Sequence, residues 1–468
     1  MDAQDGPKPD AEVEESNEQK PAENEFESID FVTLGMFIID EIEYLPSTPP
    51  VKDIIGGAGT YSALGARLFS APPLSRSVGW IVDKGSDFPP ALEELIATWE
   101  TSVLMRPTPE RLTTRGWNGY DEHQHRAFRY ATPKKRLTAE DLTPALLASR
   151  SFHLICSPTR CRELVTEIKA RRHALCNSDG SGPNLPRPIF IWEPVPDLCT
   201  PDELLNCTNT LPLVDVCSPN HAELAGFVGD SGLDPETGEI STRAVERACE
   251  QLLASMPLQS FALVVRAGEK GCYLARNGGR KRKTPASQQP AAKPKKPSAL
   301  LHGGLRPDTD MFALFAGLLQ DPETGAVARE EIEVDPGIER WIPAYHRHDP
   351  AATDDDGDAS SSPSPDYGDH RNGDDDNCNA KGGGRKSGKG KVVDPTGGGN
   401  AFLGGLAVAL ARGKSLEEAA VWASVAASFA IEQVGVPVLG VDAEGRETWN
   451  GVRVEERFEE FRTRLAFS

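Results

Sequence analysis

Short apolar runs alternate with helix-patterned segments over most of this chain, and that alternation leaves few folds open. Ile29 to Asp40 (IDFVTLGMFIID) is nearly continuous in apolar residues, as expected of one strand buried on both faces. SRSVGWIV, SFHLIC, PIFIW, LVDVC and FALVVRAG repeat the pattern, and ALEELIATWE, CRELVTEIKARR and TRAVERACEQLLAS carry helical spacing between them. Such alternation predicts a mostly parallel sheet with helices on both faces, an α/β protein built as a three-layer α/β/α sandwich. One stretch breaks it. Thr113 to Ala131 (TTRGWNGYDEHQHRAFRYA) reads as two short strands around a polar turn, a candidate small β lid over the sheet's active edge.

Not all of the 468 residues can share that core. The hydrophobic fraction is 38% against 43 Gly and 38 Pro, which fits a packed domain diluted by disordered inserts. Residues 1–27 read as a disordered acidic tail with no apolar leader segment, and 28–468 as one domain. Two low-complexity inserts interrupt it, at about 277–298 and about 349–390, because neither holds enough apolar surface to offset the entropy of ordering it. Between them, ERWIPAYH reads as a further strand and turn. The formal net charge of −21 argues against nucleic acid and anionic membrane as partners. Nine scattered cysteines without a C-x-x-C pair favour free thiols in a reducing compartment over a zinc site, and no run approaches a membrane span. The expected location is cytoplasmic. The basic clusters Lys281–Lys283 and Lys293–Lys296 read first as solvated linker charge and second as a nuclear-import signal.

The chemistry concentrates near the C-terminus. Asp394-Pro395-Thr396-Gly397-Gly398-Gly399-Asn400 opens directly into an Ala- and Leu-rich helix. Consecutive glycines there let backbone N–H groups converge, and the helix N-terminus adds partial positive charge, so an anion such as phosphate is favoured. The competing reading is a tight turn with glycine for steric reasons alone. A second helix follows, with Ser415 and Glu418 as a capping-box start and Gly435 as its stop. A near-Walker run, Gly383 to Lys389, has Gly390 where Ser or Thr is required and no strand before it, so it reads as linker.

The Asp394–Asn400 segment resembles the D-T-x-G-A-G-D signature of the ribokinase-like (PfkB-type) carbohydrate kinases, and most nearly the fungal maintenance-of-killer branch with its D-P-T-G-G-G-N form. Other positions fall in that family's order. Gly35 and Asp40 resemble its early G-x-x-x-x-D, whose Asp holds sugar hydroxyls. Gly56-Gly57-Ala58-Gly59-Thr60-Tyr61 is similar to G-G-x-G-x-N, with Tyr61 in place of the substrate-binding Asn. Val78-Gly79, Asp83 and Gly85 weakly echo V-G-x-D-x-x-G. Asn220 and Glu223 resemble N-x-x-E, and Val265 to Gly271 resembles T-x-G-x-x-G. The resemblance implies a ribokinase-like fold, phosphoryl transfer from ATP with Mg2+ to a sugar-like or nucleoside-like hydroxyl, and a homodimer through the lid. It places Gly397, Gly398 and Gly399 around the transferred phosphate, and Asp40, Gly56, Gly57 and Tyr61 on the acceptor. It places Asn220, Glu223, Gly268, Asp394 and Thr396 on the nucleotide side, with Glu223 reaching the metal through water. Read without the family, Asp40 equally ends a strand, Gly56-Gly57 equally makes a turn, and Asn220 with Glu223 equally caps a helix.

Asn400 stands where the family has its general base. An amide can hydrogen-bond a hydroxyl but cannot accept its proton at neutral pH. Base assistance is worth roughly 10²–10⁴-fold in rate. Asn400 and Tyr61 are both departures on the acceptor side, so two functions stand: an ATP-dependent carbohydrate kinase, and a catalytically impaired relative that binds nucleotide or metabolite.

Overall fold

The computed structural model describes residues 28–43, 50–120, 126–177, 185–280, 334–346 and 392–466. The acidic tail, most of the first insert, and the whole second insert with its near-Walker run lie outside them. In chain order the strands begin with β1 (Phe31–Thr33), β2 (Ile38–Glu43), β3 (Val51–Gly56), β4 (Val78–Gly85) and β5 (Ser102–Thr108). They continue with β6 (Arg115–Tyr120), β7 (Arg126–Tyr130), β8 (Ser151–Cys156), β9 (Ile189–Pro194), β10 (Val216–Cys217), β11 (Ala262–Arg266) and β12 (Cys272–Arg276). Last come β13 (Gly279–Arg280), β14 (Val334–Asp335), β15 (Ile338–Ile342), β16 (Leu439–Val441) and β17 (Glu447–Trp449).

The central sheet has nine strands in the order β15-β12-β11-β10-β9-β8-β1-β4-β5. Its seven strands from β11 to β5 run parallel, and β12 and β15 extend one edge antiparallel. Parallel strands need crossovers, and these put helices on both faces. Val264 packs into the core with the helices Ala58–Leu68, Gly398–Ala411 and Leu416–Ala430, whereas its neighbours Leu263 and Val265 pack with Pro158–Asn177 and Thr242–Ser255. That alternation makes three layers. Seven of the eight described cysteines are buried in them as free thiols. No helix among the described residues is long and apolar enough to cross a membrane.

The expected single strand over Ile29 to Asp40 is two strands in two sheets. β1 lies in the central sheet, while β2 joins β3, β6 and β7 in a separate four-stranded lid sheet ordered β3-β2-β6-β7. The break falls at Gly35, where a Cβ would press within 2.6 Å of Gly59 N at the start of the next helix. A run apolar throughout gives no sign of such a crossing. The expected hairpin at Thr113 to Ala131 is present as β6 and β7. ERWIPAYH supplies most of β15. Residues 277–280, assigned above to the first insert, are instead tied down: Asn277 donates to the Leu253 and Met256 carbonyls, and β13 pairs with β14. Ser415 caps its helix through Glu418 N–H at 3.2 Å, but that helix ends at Ala430, before Gly435.

Candidate functional site

Asp394 folds the glycine turn. Its Oδ1 accepts the Thr396 N–H at 2.9 Å, and Gly398 N–H donates to the Pro395 carbonyl at 3.2 Å. Gly397 sits at φ +79°, where a Cβ would also overlap the Tyr61 ring. A Cβ on Gly398 would meet Ile431, and one on Gly399 would overlap Arg266 Nη1. The steric reading of the three glycines is therefore correct as far as it goes. The helix Gly398–Ala411 nevertheless starts with no side chain capping it, which leaves its first turn suited to an anion.

A polar network converges on that turn. Asn400 Nδ2 donates to Glu193 Oε2 at 2.7 Å. Glu193, at the C-terminal end of β9, also accepts from His153 Nε2 at 3.0 Å and pairs through Oε1 with Arg266 Nη1 at 2.7 Å. His153 Nδ1 lies 3.0 Å from Thr33 Oγ1, which in turn accepts the Gly35 N–H. Arg266 ends β11 and reaches Glu223 Oε2 at 3.3 Å and the Ser218 carbonyl at 3.0 Å. Glu223 and Asn220 form a reciprocal capping box: Asn220 N and Nδ2 donate to the two carboxylate oxygens, and Asn220 Oδ1 accepts Glu223 N–H, each at 2.8 Å. The capping reading of this pair holds locally, and Arg266 links it to the glycine turn.

The two acids differ in electrostatics. Burial opposes ionisation of Glu193, but Arg266 and His153 outweigh it and hold that carboxyl below its ordinary range. Burial pushes Glu223 up to about 7; Glu193 adds to the rise, while Arg266 and the Asn220 N–H offset part of it.

On the lid side, Asp40 is buried on β2 between β3 and β6. A Cβ on Gly56 would overlap its Oδ2, and one on Gly116 would crowd its Oδ1 to 2.6 Å. Gly57, at φ +88°, admits the Met36 carbonyl. Register puts the buried Asn118 on the same lid face as Asp40. Tyr61 is 3% exposed, packs with Ala401 and Ala430, and donates to the Gly435 carbonyl at 3.2 Å. It thus supports the glycine turn, with its ring against Gly397. Asp83 pairs with Arg106 and Lys135, a structural ion-pair cluster. Gly268 sits in the β11–β12 turn against Ile240.

Glu223, which the resemblance has reaching magnesium through water, does not fit as a direct ligand of that ion. Mg2+ binds hard oxygens in a near-octahedral shell that keeps several waters. Glu223 already serves three donors, and the guanidinium 3.3 Å away would repel a second cation. Sequence reasoning missed His153, Glu193 and Arg266. The available signal was a charged or polar residue inside an apolar strand, in FHLIC, FIWEP and VVRAG, with Arg266 at the Thr position of T-x-G-x-x-G. Ligands of open α/β sheets bind outside the strands' carboxyl ends, where Glu193 and Arg266 stand.

Comparison with known proteins agrees with this layout. Residues 380–438 match the pfkB family carbohydrate kinase, a span that contains the glycine turn and its helix. The chain is 28% identical over 439 residues to an uncharacterised protein of Schizosaccharomyces pombe, covering 94% of each. It is 28% identical over 436 residues to protein MAK32 of Saccharomyces cerevisiae, covering 91% of this chain and 90% of MAK32. Ribokinase from Giardia lamblia superposes with a TM-score of 0.52 at 14% identity, over 93% of this chain and 99% of that one. The glycine turn on its long helix, the nine-stranded sandwich and the lid sheet, taken with these similarities, give this chain a ribokinase-like fold and a sequence similar to MAK32 along most of its length.

Proposed function

We propose that this carbohydrate-kinase-like protein is a binder in which phosphoryl transfer is impaired. It holds a phosphate-bearing ligand, with ATP the first to test, at Gly397–Gly399, and a sugar-like or nucleoside-like molecule beside Asp40 and Asn118. The observation that carries this reading is the bond from Asn400 Nδ2 to Glu193 Oε2 at 2.7 Å. An amide stands at the base position, and it uses an N–H there, so it offers an incoming hydroxyl no proton acceptor of useful strength. The nearest carboxylate, Glu193, is already paired with Arg266 and hydrogen-bonded to His153, which weakens it as a base. Phosphoryl transfer rests on positioning and charge neutralisation, so ligand binding can outlast loss of the base.

The test is ATP consumption against a panel of sugars and nucleosides, comparing wild type with Asn400→Asp. Wild type is expected to stay at background, and Asn400→Asp to gain roughly 10²–10⁴-fold over it. Wild-type turnover at about 1–100 s⁻¹, the ordinary kinase range, overturns the reading. A second reading has one observation behind it. Glu193 reaches the base position through Asn400, and if wild type does turn over, Glu193→Gln should abolish activity as loss of a relocated base would.

A further inference from the structure

Two carboxylates beside an anion-favouring helix N-terminus repel phosphate unless a cation stands between them. A divalent metal is the usual solution. Here the position between Glu193 and Glu223 is filled by the chain itself. Arg266 gives Nη1 to Glu193 at 2.7 Å and Nη2 to Glu223 at 3.3 Å, with its side chain 12% exposed. Nη1 also lies directly against Gly399, in the space that any side chain there would need. Arg266 Nε is buried and finds no hydrogen-bond acceptor among the described residues, although the other polar contacts of the side chain are made within the network. A guanidinium is always charged and presents several donors in one plane, which suits it to phosphate oxygens.

We propose that Arg266 is a built-in counter-ion that replaces a divalent cation in this protein, so that a phosphate-bearing ligand binds at Gly397–Gly399 without magnesium. The inference rests on the reading above that the glycine turn holds a phosphate group. Phosphate binding draws the guanidinium toward Gly399 and away from Glu223, which keeps its two Asn220 donors. Glu193 and Glu223 thus act as a cradle that holds Arg266 in place when no ligand is bound. A strong charge in the site then needs no ion from solution.

Isothermal titration of the full chain with ATP, and separately with ADP, in EDTA and in magnesium buffer tests this. Wild type should bind each nucleotide in EDTA with a Kd within about threefold of that in magnesium. Arg266→Gln should weaken binding by about 10–100-fold in both buffers, the loss expected for charge-assisted bonds. That variant leaves two buried acids facing one another, so its fold is checked by circular dichroism, and a second variant stands beside it. Glu223→Gln keeps the Arg266–Glu193 pair and removes a competitor for the guanidinium, so it should tighten binding in EDTA. Binding that requires magnesium, or a loss of affinity in Glu223→Gln, overturns the proposal while leaving the phosphate reading intact. Absence of binding in both buffers overturns the phosphate reading itself, and this inference with it.

Discussion

Glu223 carries the clearest single-residue consequence. Its carboxyl titrates near 7 in the folded chain because it is buried, with Glu193 close by, and Arg266 and Asn220 only partly compensate. In an unfolded chain a Glu titrates near 4.3. Between those values the folded state binds more protons than the unfolded state, so the contribution of Glu223 is fully present below about pH 4 and is lost as pH rises through about 7. The size is on the order of 3 kcal/mol. Glu193 is held below its ordinary range, and burial lowers His221, which therefore changes stability in the opposite sense. The measurement is thus a difference: urea unfolding of wild type and Glu223→Gln at pH 5 and pH 8. Wild type should lose more stability than the variant over that interval, and equal losses would refute the account. Sequence exposed Asn220 and Glu223 through their spacing, but their partner Arg266 only as an oddity in an apolar strand. Pairing between residues 43 apart depends on which strands become neighbours, and periodicity does not encode that.

At the scale of elements, the glycine turn is held by two helices that touch backbone to backbone. A Cβ on Gly65, in Ala58–Leu68, would overlap the Ala401 carbonyl, and one on Gly404, in Gly398–Ala411, would overlap the Ser62 carbonyl. Gly405 faces the helix Leu416–Ala430 and would crowd Ala426. The first of these helices also carries Tyr61, so the same contact sets the ring beneath Gly397. Gly404→Ala must separate the helices, because a carbonyl of a packed helix cannot yield as a side-chain tip can. It should cost about 1–3 kcal/mol, the range for overpacking. It should also weaken ATP binding, because Gly397–Asn400 moves with the helix. Thermal unfolding and calorimetry on the same sample separate the two effects, and a variant stable as wild type would remove the close-contact argument. The sequence made the turn and the two helices that follow it legible through glycine, Ser415 and apolar spacing, but not the last helix, Val454–Ala466. It did not separate β1 from β2, because Leu34 and Phe37 remain apolar and buried where the chain changes sheets.

The whole sandwich was readable from alternating strands and helices, since parallel strands buried on both faces must be apolar throughout. The lid was readable only in its β6–β7 half, because β3 (VKDIIG) mixes charge with apolar residues and precedes a glycine motif that draws the eye to chemistry. The last elements close the molecule through charge. Arg67, 1% exposed on the helix Ala58–Leu68, forms a two-point pair with Glu447 of β17 at 2.8 and 2.6 Å, and donates to the Trp99 and Ser70 carbonyls. Glu447 is 20% exposed, so the two ends of the pair are not equivalent. Removing Glu447 leaves a guanidinium in the interior with no counter-charge, whereas removing Arg67 leaves a carboxylate that water can reach. Glu447→Ala should therefore cost about 3–5 kcal/mol, as for other broken buried pairs, and Arg67→Met distinctly less. Urea midpoints of the two variants, and of the double variant, decide it. The double variant should be more stable than Glu447→Ala alone, because the stranded charge is gone. If Glu447→Ala is instead the milder change, the C-terminal hairpin is held by the packing of Trp449, and the ion pair contributes little to closing the sandwich.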